Sequence, residues 1–434
     1  MTFLEKLIRP GLIAMILLSL YFSWSIWASS SNKETVGQNE TKIATTIKER
    51  SSQEAFLPIR LVRMNETGMT LTASESLISS VQKLISESDI SSVSMVVNGN
   101  QEEFEQYYTE RSGFELMYEG RLLLSEYLAI YGINVDTGNI PVEQAYFNRI
   151  QVDYTEKKIL FFDFANKNVY QAAISIDRGA VEALFDKDGL IYFEVAERSE
   201  LADKSYYMIK DLKLKKYSYI LASQPTTLYR NAFFNDTDDI QMNEDSGDIS
   251  YTKGAEKLSL NERLGTIHFV GSTKNESENQ NVFADSFSYV KKLGTNIGNL
   301  RYFDYSDGMV NYSTFVEGFP VFSESNKGQV KVAVTEQESG ASKIAIDTSV
   351  DTIQVPIPSE EEVTLMDSTD LLATLTASGA DVNEIKSIII GYTWQRIEET
   401  KQIVDLTPEW YIYYRDQWYP ERELLESLAN WEVQ

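Results

Sequence analysis

The chain has 434 residues, no cysteine, and a formal net charge of −26 from 65 acidic and 39 basic side chains. Its length accommodates two or three domains, and its charge repels nucleic acid and anionic headgroups, which excludes both as partners of the bulk of the chain. Without cysteine there is no thiol nucleophile, no thiolate metal site and no disulfide, so its domains must be held by core packing alone.

Between Pro10 and Asn32 no side chain is charged, and Leu12 to Trp27 is almost wholly apolar. A helix over Gly11–Ala28 would span roughly 27 Å at ~1.5 Å per residue, close to the hydrocarbon thickness of a bilayer. Lys6 and Arg9 precede it, which places residues 1–10 in the cytoplasm and the remaining chain outside. A cleaved signal peptide fits less well, because the run is longer than an ordinary h-region and Ile26 and Trp27 make a poor cleavage site. Tyr21, Trp24 and Trp27 sit where an outer aromatic belt belongs. Ser19 and Ser23 share one helix face at the small-xxx-small spacing that permits close helix approach, so these five residues are candidate contacts within the membrane.

Residues 29–55 read as a polar tether. Order is expected from Phe56, with a strand over Ile59–Met64 and a helix through Leu77, Ile78, Val81, Leu84 and Ile85, preceded by the capping-box spacing Thr72-Ala73-Ser74-Glu75. Ser92–Val97 reads as a strand, Asn148–Asp153 and Lys158–Phe164 as a hairpin, Asn168–Ile176 as a strand and Val181–Phe185 as a short helix. The pattern relaxes near residue 200. Tyr206–Leu212 and Tyr217–Ser223 follow as strands, Thr227–Phe234 as a helix, and Asn235–Asp248 as an acidic loop. Ile249–Thr252 and Thr266–Val270 are further strands, and Gly271–Gln280 is a polar linker. Beyond it come a helix over Val282–Leu293, a hairpin turned by Asp307-Gly308, strands at Val330–Thr335 and Lys343–Asp347, a capped helix from Ser368, and strands at Ile385–Tyr392 and Trp410–Tyr414. Grouped strands without regular βαβ alternation predict an α+β fold with antiparallel sheets, divided into 56–200, 201–277 and 278–434.

Chemistry is sparse. No Walker A, dinucleotide-binding or zinc-protease pattern occurs. The lone histidine, His268, falls on a strand and reads as structural, and no Gly-x-Ser-x-Gly accompanies it. Asp236, Asp238 and Asp239, with Glu244, Asp245 and Asp248 nearby, suggest calcium, but Gln241 occupies the position where an EF-hand loop needs glycine. These residues define no catalytic, cofactor or metal site. The aromatic run with Trp410, Tyr411 and Trp418 reads first as core and second as an extracytoplasmic partner surface.

Several stretches together resemble the YycH family: Ser23-Trp24-Ser25-Ile26-Trp27, Thr226–Asn235, Ile249-Ser250-Tyr251-Thr252, Val316–Ser323, Ile390-Gly391-Tyr392 and Leu406–Tyr411. The resemblance implies a non-enzymatic, single-pass regulator of the YycG/WalK sensor histidine kinase of low-GC Gram-positive bacteria. It further implies action on cell-wall control together with a YycI-like membrane protein through transmembrane contacts, and middle and C-terminal domains that are YycI-like. Two other readings remain at this level: an enzyme acting on wall polymers with Asp/Glu catalysis, and a module that binds sugar or peptide.

Overall fold

The computed structural model of the chain describes Ser19 and residues 49–65, 68–109, 112–138, 140–198, 205–245, 247–273, 281–335, 342–397, 400 and 402–431. The chain divides into two compact units, Met1–Thr46 and Ile47–Gln434. The sheets and their helices belong to the second.

Ten strands form the first sheet. In spatial order they are Ser205–Met208, Phe193–Arg198, Gly68–Thr72, Arg60–Asn65, Gly113–Leu123, Tyr146–Asp153, Lys158–Asp163 and Asn168–Ser175, with Asp89–Ile90 and Ser94–Val97 both on the last. Every pairing is antiparallel. Glu75–Ser86 turns Leu77, Ile78, Val81 and Ile85 onto one face of this sheet, where they join Phe114, Leu116, Phe147, Ile150 and Phe161. On the other face Gln101–Thr109 supplies Phe104 and Tyr108 to a smaller cluster with Leu160, Phe162 and Phe164. Burial on both faces explains why the central strand Gly113–Leu123 has almost no exposed position and no alternation to read.

The second sheet has fourteen strands and runs from Gln241–Asp245 through Asp248–Lys253, Glu256–Asn261, Thr266–Ser272, Lys343–Ser349, Gln329–Thr335 and Met309–Val316. It continues through Phe319–Phe322, Ile385–Arg396, Ile403–Tyr414, Tyr217–Ser223 and Asp351–Ile357. Leu300–Ser306 and Gln417–Pro420 complete it, and the pairing of Phe319–Phe322 with Ile385–Arg396 is parallel. Strands from either side of residues 274–280 share this sheet, since Thr266–Ser272 pairs along its length with Lys343–Ser349. The helices Thr226–Phe233 and Val282–Val290 bury Tyr229, Phe233, Phe283 and Phe287 in the main core.

An α+β fold with antiparallel sheets is therefore observed, and three local expectations are corrected. The helix Glu75–Ser86 is N-capped by Ser74, two residues later than the Thr72-to-Glu75 spacing expects, and Ser74 gives no side-chain cap, its Oγ lying 3.2 Å from Ser76 Oγ, while the Glu75 carboxylate accepts from Asn299 Nδ2 at 2.7 Å. The acidic segment 235–248 is not loop throughout: Gln241–Asp245 is an edge strand, exposed at all five positions, so it carries no hydrophobic signature. Tyr206–Leu212 is split into Ser205–Met208 and Leu212–Lys215, which belong to different sheets.

Candidate functional site

Of the five candidate membrane contacts, Ser19 is described, as an exposed helical residue. Tyr21, Ser23, Trp24 and Trp27 lie outside the described residues, among which no helix is long and apolar enough to cross a membrane.

The C-terminal aromatics sit on Ile403–Tyr414 and Gln417–Pro420. Trp410 is 2% exposed and donates its Nε1–H to the Met366 carbonyl at 3.0 Å. Tyr411 is 3% exposed, stacks on Phe322 at 3.8 Å and bonds Thr393 Oγ1 at 2.7 Å. Both ring faces are thus spent inside the fold, and burial drives the Tyr411 hydroxyl well above its ordinary pKa. Trp418 is half-buried against Phe303, Phe322 and Tyr413, and of the three it retains area for a partner.

His268 lies on the strand Thr266–Ser272. Its side chain is 52% exposed, and Nδ1 lies 2.7 Å from Asp347 Oδ1 on the neighbouring strand. The register places Ser259 opposite His268 on the other side, so serine, histidine and aspartate stand in one row across three strands. The row lines an open depression of about 320 Å³ together with Asn243 and Lys257. No hydrogen bond joins Ser259 to the imidazole, so the row lacks the base contact that activates a serine nucleophile. These three side chains were separated by too much sequence for any motif to unite them.

In the acidic segment, Asp236 pairs with Lys253 Nζ at 2.6 Å, and its Oδ1 accepts from the Asp238 amide at 3.0 Å. Lys253 also donates to the Asp238 carbonyl at 2.6 Å. Among the described residues no group of three carboxylate, histidine or cysteine side chains is placed to hold a metal ion.

Sequence reasoning missed the buried charges that tie the two sheets together. Arg301, fully buried, donates to the carbonyls of Leu57 and Pro58 at 3.0 and 2.8 Å, faces Glu75 at 3.4 Å and lies over the Phe315 ring at 4.5 Å. Its burial lowers its pKa, with the Glu75 charge opposing. Gly318, at φ +83°, lets the chain pass so near Ala73 that a Cβ there would lie 1.9 Å from the Ala73 carbonyl oxygen. The N-terminal and C-terminal parts of this unit are locked together rather than loosely tethered.

With this geometry in hand, comparison with known proteins gives two family matches. Residues 11–188 match the model described as YycH protein, N-terminal domain, and residues 202–424 match YycH protein, C-terminal domain. The crystal structure of YycH from Bacillus subtilis is similar at a TM-score of 0.66 and 13% sequence identity, covering 86% of this chain and 97% of that one. No curated protein matches the sequence.

Proposed function

The chain belongs to the YycH family, and from that membership we propose that it is a non-enzymatic regulator of the YycG/WalK two-component sensor histidine kinase. It is held in the cell membrane by Leu12–Trp27, with residues 1–10 cytoplasmic and the bulk of the chain outside. It acts with a YycI-like membrane protein, through helix contacts centred on Ser19 and Ser23 and flanked by Tyr21, Trp24 and Trp27. The division into 56–200, 201–277 and 278–434, the last two YycI-like, belongs to the same proposal, the latter two contributing strands to one sheet. The observation that carries this reading is the extent of the family match, which begins at residue 11 and so takes in the apolar run as well as the folded unit.

A lone helix biases a kinase only by binding its two signalling states with different affinity. A coupling of about 1–3 kcal/mol changes output by roughly 5- to 150-fold. The test is autophosphorylation of the kinase in proteoliposomes with and without the full chain and the YycI-like protein. A change of about fivefold or more that requires this chain is expected; an unaltered rate contradicts the proposal.

A further inference from the structure

An open groove of about 940 Å³ lies at the far end of the first sheet. Arg121, on the central strand Gly113–Leu123, lines it. Its guanidinium lies over two tyrosine rings, Tyr146 at 4.4 Å and Tyr305 at 5.6 Å, which fix it from two different strands. Among the described residues its side chain makes no hydrogen bond or ion pair, although guanidinium groups carry five donors. Asp163, whose carboxyl feels the Arg121 charge, spends its oxygens on the amides of Ala165 and Asn166 and on the Asn166 side chain. A cation is therefore held in position at a groove with its donors unspent, in a chain whose net charge of −26 gives it many carboxylates elsewhere.

The same groove is bordered by Ser94 and Met95 of an edge strand. Ser94–Val97 pairs with Asn168–Ser175 along one side, and no strand among the described residues pairs with its other side. Free strand edges accept extended peptides by main-chain hydrogen bonding, while side-chain pockets choose among them. Met95, Ile140, Tyr146 and Tyr170 give the groove apolar area, and Asn98 and Gln144 give it amides. The volume falls within the range of ~300–1,000 Å³ typical of ligand sites and far exceeds what a small anion fills.

We propose that this groove binds an extended peptide carrying one carboxylate, with the carboxylate on Arg121 and the backbone added along the free edge of Ser94–Val97. Asp136, exposed at the rim, and the overall negative charge select against a polyanion, so a singly charged ligand is specified. The carboxylate comes from a glutamate side chain or from a peptide C-terminus. The inference stands apart from the kinase proposal, because it rests on Arg121 and the strand edge alone.

The test is fluorescence anisotropy with the full chain in mild detergent and three labelled, acetylated random-hexapeptide pools. One is neutral and amidated, one is amidated with a fixed glutamate, and one is otherwise neutral with a free C-terminus. At least one carboxylate pool is expected to bind about tenfold more tightly than the neutral pool, the scale of one charge-assisted bidentate contact. Which pool does so identifies the source of the carboxylate. Arg121→Gln should abolish that advantage and Arg121→Lys should keep part of it, with unchanged thermal unfolding confirming that the variants are folded. Hydrogen exchange on the bound wild-type chain should show new protection at Ser94–Val97. Equal affinity for all pools, an advantage that survives Arg121→Gln, full competition by acetate, or no added protection at the edge strand overturns the proposal.

Discussion

Arg301→Ala perturbs the contact between the two sheets. The wild-type guanidinium is fully buried and makes two charge-assisted hydrogen bonds to the Leu57 and Pro58 carbonyls. Each such bond contributes ~1.5–3 kcal/mol, and the truncated variant leaves both carbonyls without that donor. Relief from burying a charge offsets part of this. Glu75 adds little, since its side chain is 38% exposed and sits 3.4 Å away, a geometry worth no more than ~1 kcal/mol. The net expectation is a loss of ~3–5 kcal/mol, the range found when one partner of a buried polar contact is removed. Urea unfolding of the full chain, followed in parallel by tryptophan fluorescence and far-UV circular dichroism, reads this directly. Arg301→Met, which keeps much of the volume, should lose nearly as much, and Glu75→Gln should lose ~1 kcal/mol or less. A loss below ~1 kcal/mol for Arg301→Ala, or an equal loss for Glu75→Gln, would refute the carbonyl contacts as the origin of the coupling.

Three further outcomes follow from the same structure. Gly318→Ala forces a Cβ to within 1.9 Å of the Ala73 oxygen at positive φ, so a loss of ~3 kcal/mol or more is expected in calorimetric unfolding; a melting temperature equal to wild type would show that the two strands separate freely. Burial raises the Asp304 carboxyl to about 6 against the opposing amide of Asn311, so the folded state binds the proton more tightly than the unfolded one. Its contribution to stability is complete below pH ~4 and is lost as pH rises through 6, and Asp304→Asn should therefore gain on wild type by up to ~3 kcal/mol between pH 4 and 7. A pH-independent difference between the two proteins would exclude this. Trp410→Phe removes the donor to the Met366 carbonyl and should cost ~1–2 kcal/mol in urea unfolding; a cost near zero would remove Trp410 from the set of structural contacts.

Local chemistry made part of this fold legible. Asp307-Gly308 predicted a hairpin, and the two residues do take φ of +51° and +74° between Leu300–Ser306 and Met309–Val316. Tyr217–Ser223 has its predicted bounds, paired between Ile403–Tyr414 and Asp351–Ile357. What was not legible depends on partners distant in sequence. Glu75 reads locally as a capping residue because the pattern cannot show Asn299 and Arg301, more than two hundred positions away. Gln241–Asp245 buries nothing, so its pairing with Asp248–Lys253 leaves no hydrophobic trace. Arg121 looked like one charge among many, and its meaning arises from two tyrosines on two other strands. Likewise, the Ser259, His268 and Asp347 row exists only through strand register.

The measurement that bears most directly on the proposed regulation is reporter output of the kinase's regulon in a deletion strain complemented with two forms of this chain. One carries residues 1–35 alone, and the other carries residues 36–434 behind an unrelated membrane-spanning helix. Signalling through Leu12–Trp27 predicts that the short anchor restores regulation and the swapped-helix form does not. Restoration by the swapped-helix form alone would contradict it and assign the function to the folded unit.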